Sequence, residues 1–219
     1  FQSAAADATF VVNGQTTQFD QKLTGYQKGD MCAATQEYLK MVVDKGGVVP
    51  KADNQIIFGK NVSEAFKNKV ISISKNLGVD PDFIMASMAF ETGETFSATI
   101  ENAAGSGAVG LIQFMPSTAK GLGTTTEELK KMTAEKQLDY VEKYFSPYKG
   151  KIKNLDDVYM AILWPAAVGK ADDYVLFEKG TTAYTQNAGL DSDSDGKITK
   201  SETAALVRAK YNRGKQFLG

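Results

Sequence analysis

The pattern of apolar and polar positions is helical over most of the chain. Apolar residues recur at three- and four-residue spacing over 62–78 and within 124–148, where Leu138, Val141, Tyr144 and Phe145 share one stripe, as along one face of an amphipathic α-helix. The segment 82–90 is apolar almost all round, which is typical of a buried helix. Residues 155–170 predict another apolar helix, which Pro165 interrupts or ends. Near the start, two β-prone runs flank Asn13-Gly14, the dipeptide most favoured in two-residue hairpin turns. The pattern predicts a mainly α-helical protein with a small N-terminal, hairpin-containing segment.

Local signals predict where several helices begin and end. Residues 61–64, Asn-Val-Ser-Glu, fit a capping box at a helix start, and Gly78 fits the end of that helix. Asp80 and Pro81 fit the N-cap and the first residue of the next helix. Helix signals resume at about residue 110 and break at about residue 121, within a glycine-rich passage.

Composition bounds the class of protein. The 219 residues are 42% hydrophobic and 23% charged, which suits one sizeable domain or one domain with a small appendage. The net charge of −1 offers no general electrostatic footprint for nucleic acid or an anionic membrane. No apolar run approaches the roughly 18 to 20 residues that span a bilayer. We therefore expect a monomer with no nucleic-acid partner and no membrane span.

The residue types that are absent exclude whole classes of chemistry. The chain has no histidine, so histidine-based triads and HExxH zinc sites are excluded. Its single cysteine, Cys32, cannot form an intrachain disulfide and has no histidine to activate it as a nucleophile. Acid and base catalysis must therefore fall to carboxylates, lysines, tyrosines or the thiol.

A carboxylate ends the apolar run "DFIMASMAF" at residues 82–90. Glu91 shares a helix face with Met88, Ser87 and Ile84, so its side chain is expected to point inward. Burial disfavours the charged form of a carboxyl group and raises its pKa into the range of a general acid at neutral pH. The alternative is a helix-terminal glutamate that reaches water or pairs with a lysine.

Residues 191–202, "DSDSDGKITKSE", match the spacing of an EF-hand calcium loop. The predicted ligands are Asp191, Asp193, Asp195, Lys197 through its carbonyl, Thr199 and Glu202. Calcium sensors usually pair two such loops, whereas this chain has one, so a single structural Ca²⁺ is expected. Chelation should then lower the melting temperature more than the catalytic activity. An acidic, flexible loop without a metal is the alternative.

Residues 90–120, "FETGETFSATIENAAGSGAVGLIQFMPSTAK", resemble the catalytic core of the soluble lytic transglycosylase and goose-type lysozyme superfamily. The resemblance rests on a glutamate followed by threonine at a helix end and, later, on "SGAVGLIQFMP"; it covers roughly residues 61–186. It implies a lysozyme-like helical fold, with Glu91 as the catalytic acid and the Thr92 hydroxyl holding its carboxyl group. The implied substrate-binding residues are Thr92, Gly110, Leu111, Ile112, Gln113, Phe114 and Met115.

The chain departs from that family where the family has "AYNAG", a motif whose tyrosine approaches the catalytic carboxyl group. This chain has "AILWPAAVGK" in the equivalent place. Tyr140, Tyr159 and Trp164 are the candidates for the missing aromatic, and we assign Tyr159 and Trp164 to the substrate groove. Core packing is the alternative for each of them.

A second departure is the segment between Glu91 and "GLIQ", which is longer than in the shorter transglycosylases of the family. It leaves room for Glu94 or Glu101 to approach the groove as a further catalytic carboxylate, which an inverting hydrolase needs to activate water. The alternative is that both are solvated surface charges.

These segments predict three parts of the chain. Residues 1–60 form an N-terminal cap or linker, residues 61–186 the lysozyme-like catalytic domain, and residues 187–219 an EF-hand-like calcium-binding segment with a C-terminal helix. Because the chain begins at Phe1 rather than methionine, we expect a C-terminal fragment of a larger protein.

The resemblance implies a peptidoglycan muramidase that cleaves the β-1,4 bond between N-acetylmuramic acid and N-acetylglucosamine and lyses the bacterial cell wall. Hydrolysis, as in a lysozyme, and lytic transglycosylation to a 1,6-anhydro product both stay open. A non-catalytic, calcium-stabilised glycan-binding module is the other alternative.

The expected partners are peptidoglycan glycan strands, with an immunity or carrier protein if the chain is a secreted antibacterial effector. A phage endolysin and a bacterial wall-remodelling enzyme are the other settings. The expected location is outside the cell, or the bacterial periplasm and cell wall.

Overall fold

The structure is a computed structural model that describes residues 9–12, 15–18, 54–103 and 105–219. The chain divides into two compact units, Phe1–Asp53 and Asn54–Gly219. Each unit is described by itself.

The first unit contributes two short strands, β1 (Thr9–Val12) and β2 (Gln15–Gln18). They pair antiparallel, with Val12 opposite Gln15, so the predicted strand pair is confirmed. The turn residues of the predicted hairpin, Asn13 and Gly14, lie outside the described residues, as does Cys32.

The second unit is mainly helical, which confirms the predicted class. In chain order its α-helices are α1 (Glu64–Leu77), α2 (Pro81–Glu91), α3 (Pro116–Gly121), α4 (Thr126–Lys130), α5 (Ala134–Phe145), α6 (Leu155–Leu163), α7 (Thr182–Asn187) and α8 (Lys200–Gly214). Short 3-10 helices lie at Gly59–Asn61, Ser146–Tyr148, Pro165–Ala167, Ala188–Leu190 and Lys215–Phe217. The strands β3 (Val175–Glu178) and β4 (Lys197–Thr199) pair antiparallel.

Helix α1 starts two residues later than the capping-box prediction. Ser63, not Asn61, is the N-cap, and its hydroxyl oxygen accepts a hydrogen bond from the Phe66 amide at 3.1 Å. The prediction was wrong because Gly59–Asn61 forms a 3-10 turn of its own before the chain becomes extended. Gly78 ends the helix in the left-handed conformation, at a φ of 72°, as predicted.

Helix α2 has the predicted start. The Asp80 carboxylate accepts a hydrogen bond from the Asp82 amide at 2.9 Å, and Pro81 is the first helical residue. The helix ends at Glu91, where Thr92 and Gly93 turn the chain. The local signals therefore place Glu91 at a helix C-terminus.

The passage from residue 110 to residue 121 is less helical than predicted. Helix α3 begins only at Pro116, because Gly110 and Gln113 have φ angles of 77° and 51°, which an α-helix does not accommodate. Residues 109–114 form a turn instead, closed by a bridge between Val109 and Phe114.

The core of the second unit lies between α2 and the helices around it. Helix α2 packs against α1, α6 and α8, and α1 also packs against α5. Most apolar side chains of α2 are fully buried, which explains why this helix is apolar almost all round. Among the described residues, no helix combines the length and the hydropathy required to cross a membrane.

The residues before α1 belong to the helical unit. Ile56 exchanges two backbone hydrogen bonds with Gly219, of 3.0 and 3.3 Å, and the Phe58 amide donates to the Gly214 carbonyl at 3.2 Å. The domain boundaries at residues 60 and 186 stay predictions; structurally, residues 54–219 form one compact unit.

Candidate active site

Glu91 is the last residue of α2, and its side chain is half-buried. Ser87 and Met88, one turn earlier on the same face, are fully buried. Burial raises the pKa of the Glu91 carboxyl group from 4.5 to about 7, because loss of water disfavours the charged form. A carboxyl group in this state retains its proton near neutral pH and can donate it to a developing base.

Two tyrosines from different helices lie within the electrostatic influence of Glu91. Burial raises the pKa of Tyr144, on α5, to about 12, and the charges of Tyr148 and Glu91 add to the shift. Burial and then the Glu91 charge also raise the pKa of Tyr159, on α6. The Tyr159 ring meets Phe90 edge-on, with 5.2 Å between centroids. Both tyrosines therefore stay protonated, so they border Glu91 as neutral groups.

Tyr144 also joins the 109–114 turn to this group. Its ring meets Phe114 edge-on at 6.3 Å between centroids, and its hydroxyl donates to the Ala161 carbonyl of α6 at 2.6 Å. Backbone hydrogen bonds of 3.1 and 2.8 Å between Val109 and Phe114 close the turn. The end of α2, the helices α5 and α6 and the turn are thereby held together around Glu91.

The predicted groove residues on this turn differ in exposure. Three are buried and shape the turn from within: Leu111, Ile112 and Phe114. Met115 is 43% exposed, and Gln113 is half-buried, with its side-chain amide donating to the Gly110 carbonyl at 3.2 Å. Gln113 and Met115 are thus the two side chains of this set that solvent reaches.

A buried amide that the sequence reasoning missed braces the same turn. The Gln137 carbonyl oxygen accepts from the Leu111 amide at 2.7 Å, and its nitrogen donates to the Ala98 and Leu129 carbonyls at 3.1 and 3.0 Å. A Cβ atom at Gly110 would collide with this amide, so the turn needs glycine there for close approach. The available signal was a polar residue next to the apolar stripe of α5.

Thr92 does not make the hydrogen bond that the resemblance implied. Its hydroxyl donates to the Met88 carbonyl at 2.7 Å and accepts from the Phe96 amide at 3.0 Å. The one hydroxyl proton is therefore committed to the backbone rather than to the Glu91 carboxyl group. The Thr92 side chain is fully buried, and it shapes the turn that follows α2.

The two further carboxylates proposed for catalysis both contact cations. Glu94 accepts hydrogen bonds from Lys210 at 2.6 Å and from Arg213 at 2.7 Å. Burial favours a higher pKa for Glu94, but the bonds and charges of these two cations outweigh it and lower the pKa. Glu101 is exposed and accepts from Lys130 at 3.1 Å. A catalytic role for either carboxylate stays a prediction.

The candidate aromatic residues are placed differently from one another. Tyr159 is buried beside the catalytic candidate, whereas Trp164 is 39% exposed and meets Phe177 edge-on at 5.3 Å between centroids. Tyr140 is half-buried on α5. Tyr144 was not among the candidate aromatic residues because a tyrosine on the apolar stripe of an amphipathic helix is predicted to pack in the core.

The acidic loop brings three predicted ligands together. Carboxylate oxygens of Asp191, Asp193 and Asp195 all lie within 4.8 Å of one another. Backbone amides orient two of them: that of Asp195 donates to Asp193 at 3.1 Å, and that of Lys197 donates to Asp195 at 2.7 Å. The loop continues into β4, whose Ile198 is fully buried.

Asp191 bears directly on whether a cation fits this loop. Its Oδ2 atom accepts from the Tyr184 hydroxyl at 2.6 Å and from the Gly196 amide at 3.0 Å. Its Oδ1 atom is buried and has no hydrogen-bond partner in the described part of the chain, which is costly for a polar atom. A cation bound by the three aspartates would supply the missing partner.

Two other predicted ligands contact each other. The Glu202 Oε2 atom accepts from the Thr199 amide and hydroxyl at 2.9 Å each, and its Oε1 atom accepts from the Ser192 amide at 2.9 Å. Thr199 and Glu202 thereby form the capping box of α8. Metal binding by the six predicted residues stays a prediction.

The comparisons with known proteins concern the region that builds the active site. Residues 68–163 match the family model described as "Transglycosylase SLT domain", and this range contains Glu91, Tyr144, Tyr159 and the 109–114 turn. No curated protein matches the chain. The matched family consists of enzymes that cleave peptidoglycan, which confirms the predicted enzyme class of glycosidase or lytic transglycosylase. Residues 68–163 are therefore similar to the transglycosylase SLT domain of the lysozyme-like superfamily.

Proposed function

We propose that the chain cleaves the β-1,4 bond between N-acetylmuramic acid and N-acetylglucosamine in peptidoglycan, with Glu91 as the general acid. The observation that carries the proposal is the half-buried Glu91 carboxyl group, whose pKa is raised to about 7. A proton held there at neutral pH can pass to the glycosidic oxygen as the bond breaks.

We further propose lytic transglycosylation rather than hydrolysis as the outcome. An inverting hydrolase needs a second carboxylate about 6.5 to 9.5 Å from the acid to activate water. The two carboxylates considered for that role are each paired with cations, Glu94 with Lys210 and Arg213, and Glu101 with Lys130. These pairings favour a route that requires one acidic residue.

In this route the muramyl C1–O4 bond breaks and the leaving N-acetylglucosamine O4 takes the proton of Glu91. The muramyl 6-hydroxyl oxygen forms the new bond to C1 and gives its proton to the Glu91 carboxylate. The acid is thereby regenerated without water as a reactant. Glu91 acts first as acid and then as base, which a pKa near neutrality permits.

Exposed side chains near the acid are proposed to contact the glycan. Gln113 and Met115 lie on and beside the 109–114 turn, and Trp164 follows the end of α6. A partly exposed tryptophan presents an apolar face and one hydrogen-bond donor, which suits a sugar ring. Because its substrate is peptidoglycan, the enzyme is proposed to act in the periplasm or the cell wall.

We also propose that the acidic loop binds one Ca²⁺ ion. The grouped oxygens of Asp191, Asp193 and Asp195 supply hard anionic ligands, and the buried Asp191 Oδ1 atom lacks another partner in the described part of the chain. Thr199, Glu202 and the Lys197 carbonyl complete the proposed ligand set. The ion would supply positive charge that fixes the loop, and no step of the cleavage passes through it.

The function is tested by mass spectrometry of the soluble fragments released from purified peptidoglycan. The parent protein and Glu91→Gln are compared, with Glu128→Gln as a control, because Glu128 is exposed and pairs with Lys131. The proposal predicts products that end in 1,6-anhydromuramic acid, from the parent and the control but not from Glu91→Gln.

Three results would contradict different parts of the proposal. Reducing-end muramic acid would replace transglycosylation by hydrolysis and would return Glu94 and Glu101 to consideration. Equal release by the parent and Glu91→Gln would remove Glu91 as the acid. Glycan binding with no release by any form would leave a binding module.

A further inference from the structure

The turn that follows Glu91 has an unfavourable backbone conformation. Gly93, Glu94 and Phe96 have φ angles of 60°, 70° and 51°. For residues with a side chain this left-handed region is sterically unfavourable. Such a conformation persists only where other interactions hold it. The turn directly after the catalytic acid therefore needs an external restraint.

Backbone and hydroxyl contacts supply part of the restraint. The Glu94 amide donates to the Ala89 carbonyl at 2.8 Å, and the Thr92 hydroxyl spans from the Met88 carbonyl to the Phe96 amide. These contacts lie within one short segment, so they do not connect the turn to the rest of the unit.

Phe96 packs against Phe58 and Phe66, with 5.6 and 6.0 Å between ring centroids, and connects the far end of the turn to the apolar core. The Glu94 side chain connects the part of the turn next to Glu91 to α8. Lys210 donates to its Oε1 atom at 2.6 Å, and Arg213 donates to both carboxylate oxygens at 2.8 and 2.7 Å. The Lys210 and Glu94 side chains are 29% and 16% exposed, so solvent screens this pair less than it screens pairs on the open surface. The Arg213 side chain is 53% exposed, so its pair with Glu94 is screened more. Both partners belong to α8, more than a hundred residues further along the chain.

Helix α8 is itself fixed to the body of the unit. Lys200 donates to Asp157 at 2.6 Å in a pair that is almost completely buried, and Arg208 donates to Asp156 at 3.0 Å. Both aspartates lie in the first turn of α6. The helix that restrains the turn is therefore anchored independently of Glu94.

We propose that Glu94 is a positioning residue, which fixes the turn after α2 to Lys210 and Arg213 and thereby holds the Glu91 carboxyl group in its half-buried position. The inference rests on the proposed role of Glu91 as the acid. It gives Glu94 a part in cleavage that needs no contact with the glycan and no proton transfer.

The proposal has a specific consequence for Glu91. Without the ion pairs, the left-handed turn relaxes and water reaches the end of α2. The groups that border Glu91 from the neighbouring helices, Tyr144 and Tyr159, are neutral, so hydration is the quantity that changes. Greater hydration lowers the pKa of Glu91 toward 4.5 and moves the acid relative to the scissile bond.

The test compares Glu94→Gln with the matched control Asp156→Asn on soluble, uncrosslinked glycan strands. The control removes a carboxylate that pairs with the same helix, through Arg208, but lies on α6. Glu94→Gln is expected to lower kcat about tenfold or more at unchanged KM, as misplaced catalytic groups do. The alkaline limb of its pH–rate profile should move about one pH unit or more toward acid. The control should lose stability and keep both the pH profile and kcat.

A variant with exchanged charges provides a second test of the positioning role. The triple variant Glu94→Lys, Lys210→Glu, Arg213→Glu restores opposite charges across the same contact, and it is expected to return the alkaline limb to within about 0.3 pH units of the parent. If Glu94→Gln does not fold, the Lys210→Gln, Arg213→Gln variant breaks the same contact and is expected to show the same acid shift.

Fragment release by the parent protein distinguishes failure of the proposed function from failure of the positioning role. If the parent releases no fragments, the proposed function fails. If the parent cleaves and Glu94→Gln keeps the parent pH profile and kcat, the positioning role is overturned while the function stands. An equal acid shift in Asp156→Asn would also overturn it, because the effect would then belong to the docking of α8 in general.

Discussion

Two regions of this molecule use carboxyl groups in opposite ways. At the end of α2, Glu91 is surrounded by buried apolar and aromatic side chains, and burial raises its pKa to about 7. In the acidic loop, a hydrogen bond from Tyr184 lowers the pKa of Asp191, and backbone amides act in the same direction. One environment keeps a proton on a carboxyl group, and the other keeps carboxylates charged.

The difference lies in what surrounds each carboxyl group. Donors stabilise the charged form and burial without donors destabilises it, so the first region suits proton transfer and the second suits cation binding. The sequence distance over which each environment is assembled also differs. The groups that orient the aspartates lie within residues 184–197, whereas the surroundings of Glu91 come from α2, α5, α6 and the 109–114 turn.

The largest expected effect is on the rate of cleavage, which should fall when Glu91 is changed but not when the acidic loop is changed. Glu91→Gln should lower the rate of fragment release by about a thousandfold or more, since it removes the acid from an oxocarbenium-like reaction. Asp193→Asn should retain at least half of the parent rate, since it changes only the loop. The measurement is initial release from purified peptidoglycan in Ca²⁺-containing buffer. Comparable losses in both variants would break the proposed separation.

A buried ion pair physically links the two regions. Lys200, at the end of the acidic loop, donates to Asp157 of α6, and the two side chains are 1% and 2% exposed. Lys200→Ala should lower the free energy of unfolding by about 3 to 5 kcal/mol, because it leaves a buried carboxylate without its cation. Urea denaturation measures the loss. The control Lys131→Ala removes an exposed pair with Glu128 and should leave the stability almost unchanged, because solvent screens that pair.

The raised pKa of Glu91 predicts a pH-dependent stability. Below pH 4.5 the carboxyl group is protonated in both states, so Glu91→Gln and the parent should be equally stable. Between pH 4.5 and 7 the unfolded chain loses its proton first, so the parent loses stability as the pH rises. At pH 8 Glu91→Gln should be more stable by about 3 kcal/mol. Denaturation at pH 4 and pH 8 measures this, and a difference that does not vary with pH would contradict the account.

Removal of calcium should have the smallest of these effects. At a Ca²⁺ concentration a hundred times the dissociation constant, binding contributes about 2.7 kcal/mol to stability, so EDTA should lower the Tm by about 5 °C or more. Asp193→Asn should abolish most of that response. A Tm unchanged by EDTA in the parent would argue against the site.

The sequence was most informative where the determining interactions are local. Helical spacing predicted that Glu91 is buried. The residues Asp80 and Pro81 predicted the start of α2, and the spacing of the acidic loop predicted that its three aspartates lie together. The sequence was less informative where contacts join distant segments. Tyr144 reads as core on its own helix, and its relation to Glu91 depends on how α5 crosses the end of α2.

Two polar residues show the same limit. The only local sign of Gln137 is a polar residue next to the apolar stripe of α5, and this sign does not identify the 109–114 turn, because the three partners of Gln137 lie on other segments. Glu94 was a candidate for catalysis because the long segment between Glu91 and "GLIQ" leaves it room to approach the groove, and the sequence gives no sign of its two cations on α8. The structure shows ionic contacts of Glu94 with Lys210 and Arg213, and the partners of neither Gln137 nor Glu94 could have been identified from one sequence.

The most direct test of the central claim is the pKa of Glu91 itself. In protein labelled with ¹³C at the glutamate side chains, the Glu91 carboxyl resonance is assigned by its absence in Glu91→Gln and followed by NMR from pH 4 to pH 9. The account predicts a midpoint at about 7. A midpoint near 4.5, with cleavage unaffected across neutral pH, would show that Glu91 is an ordinary ionised carboxylate and would contradict its role as the acid.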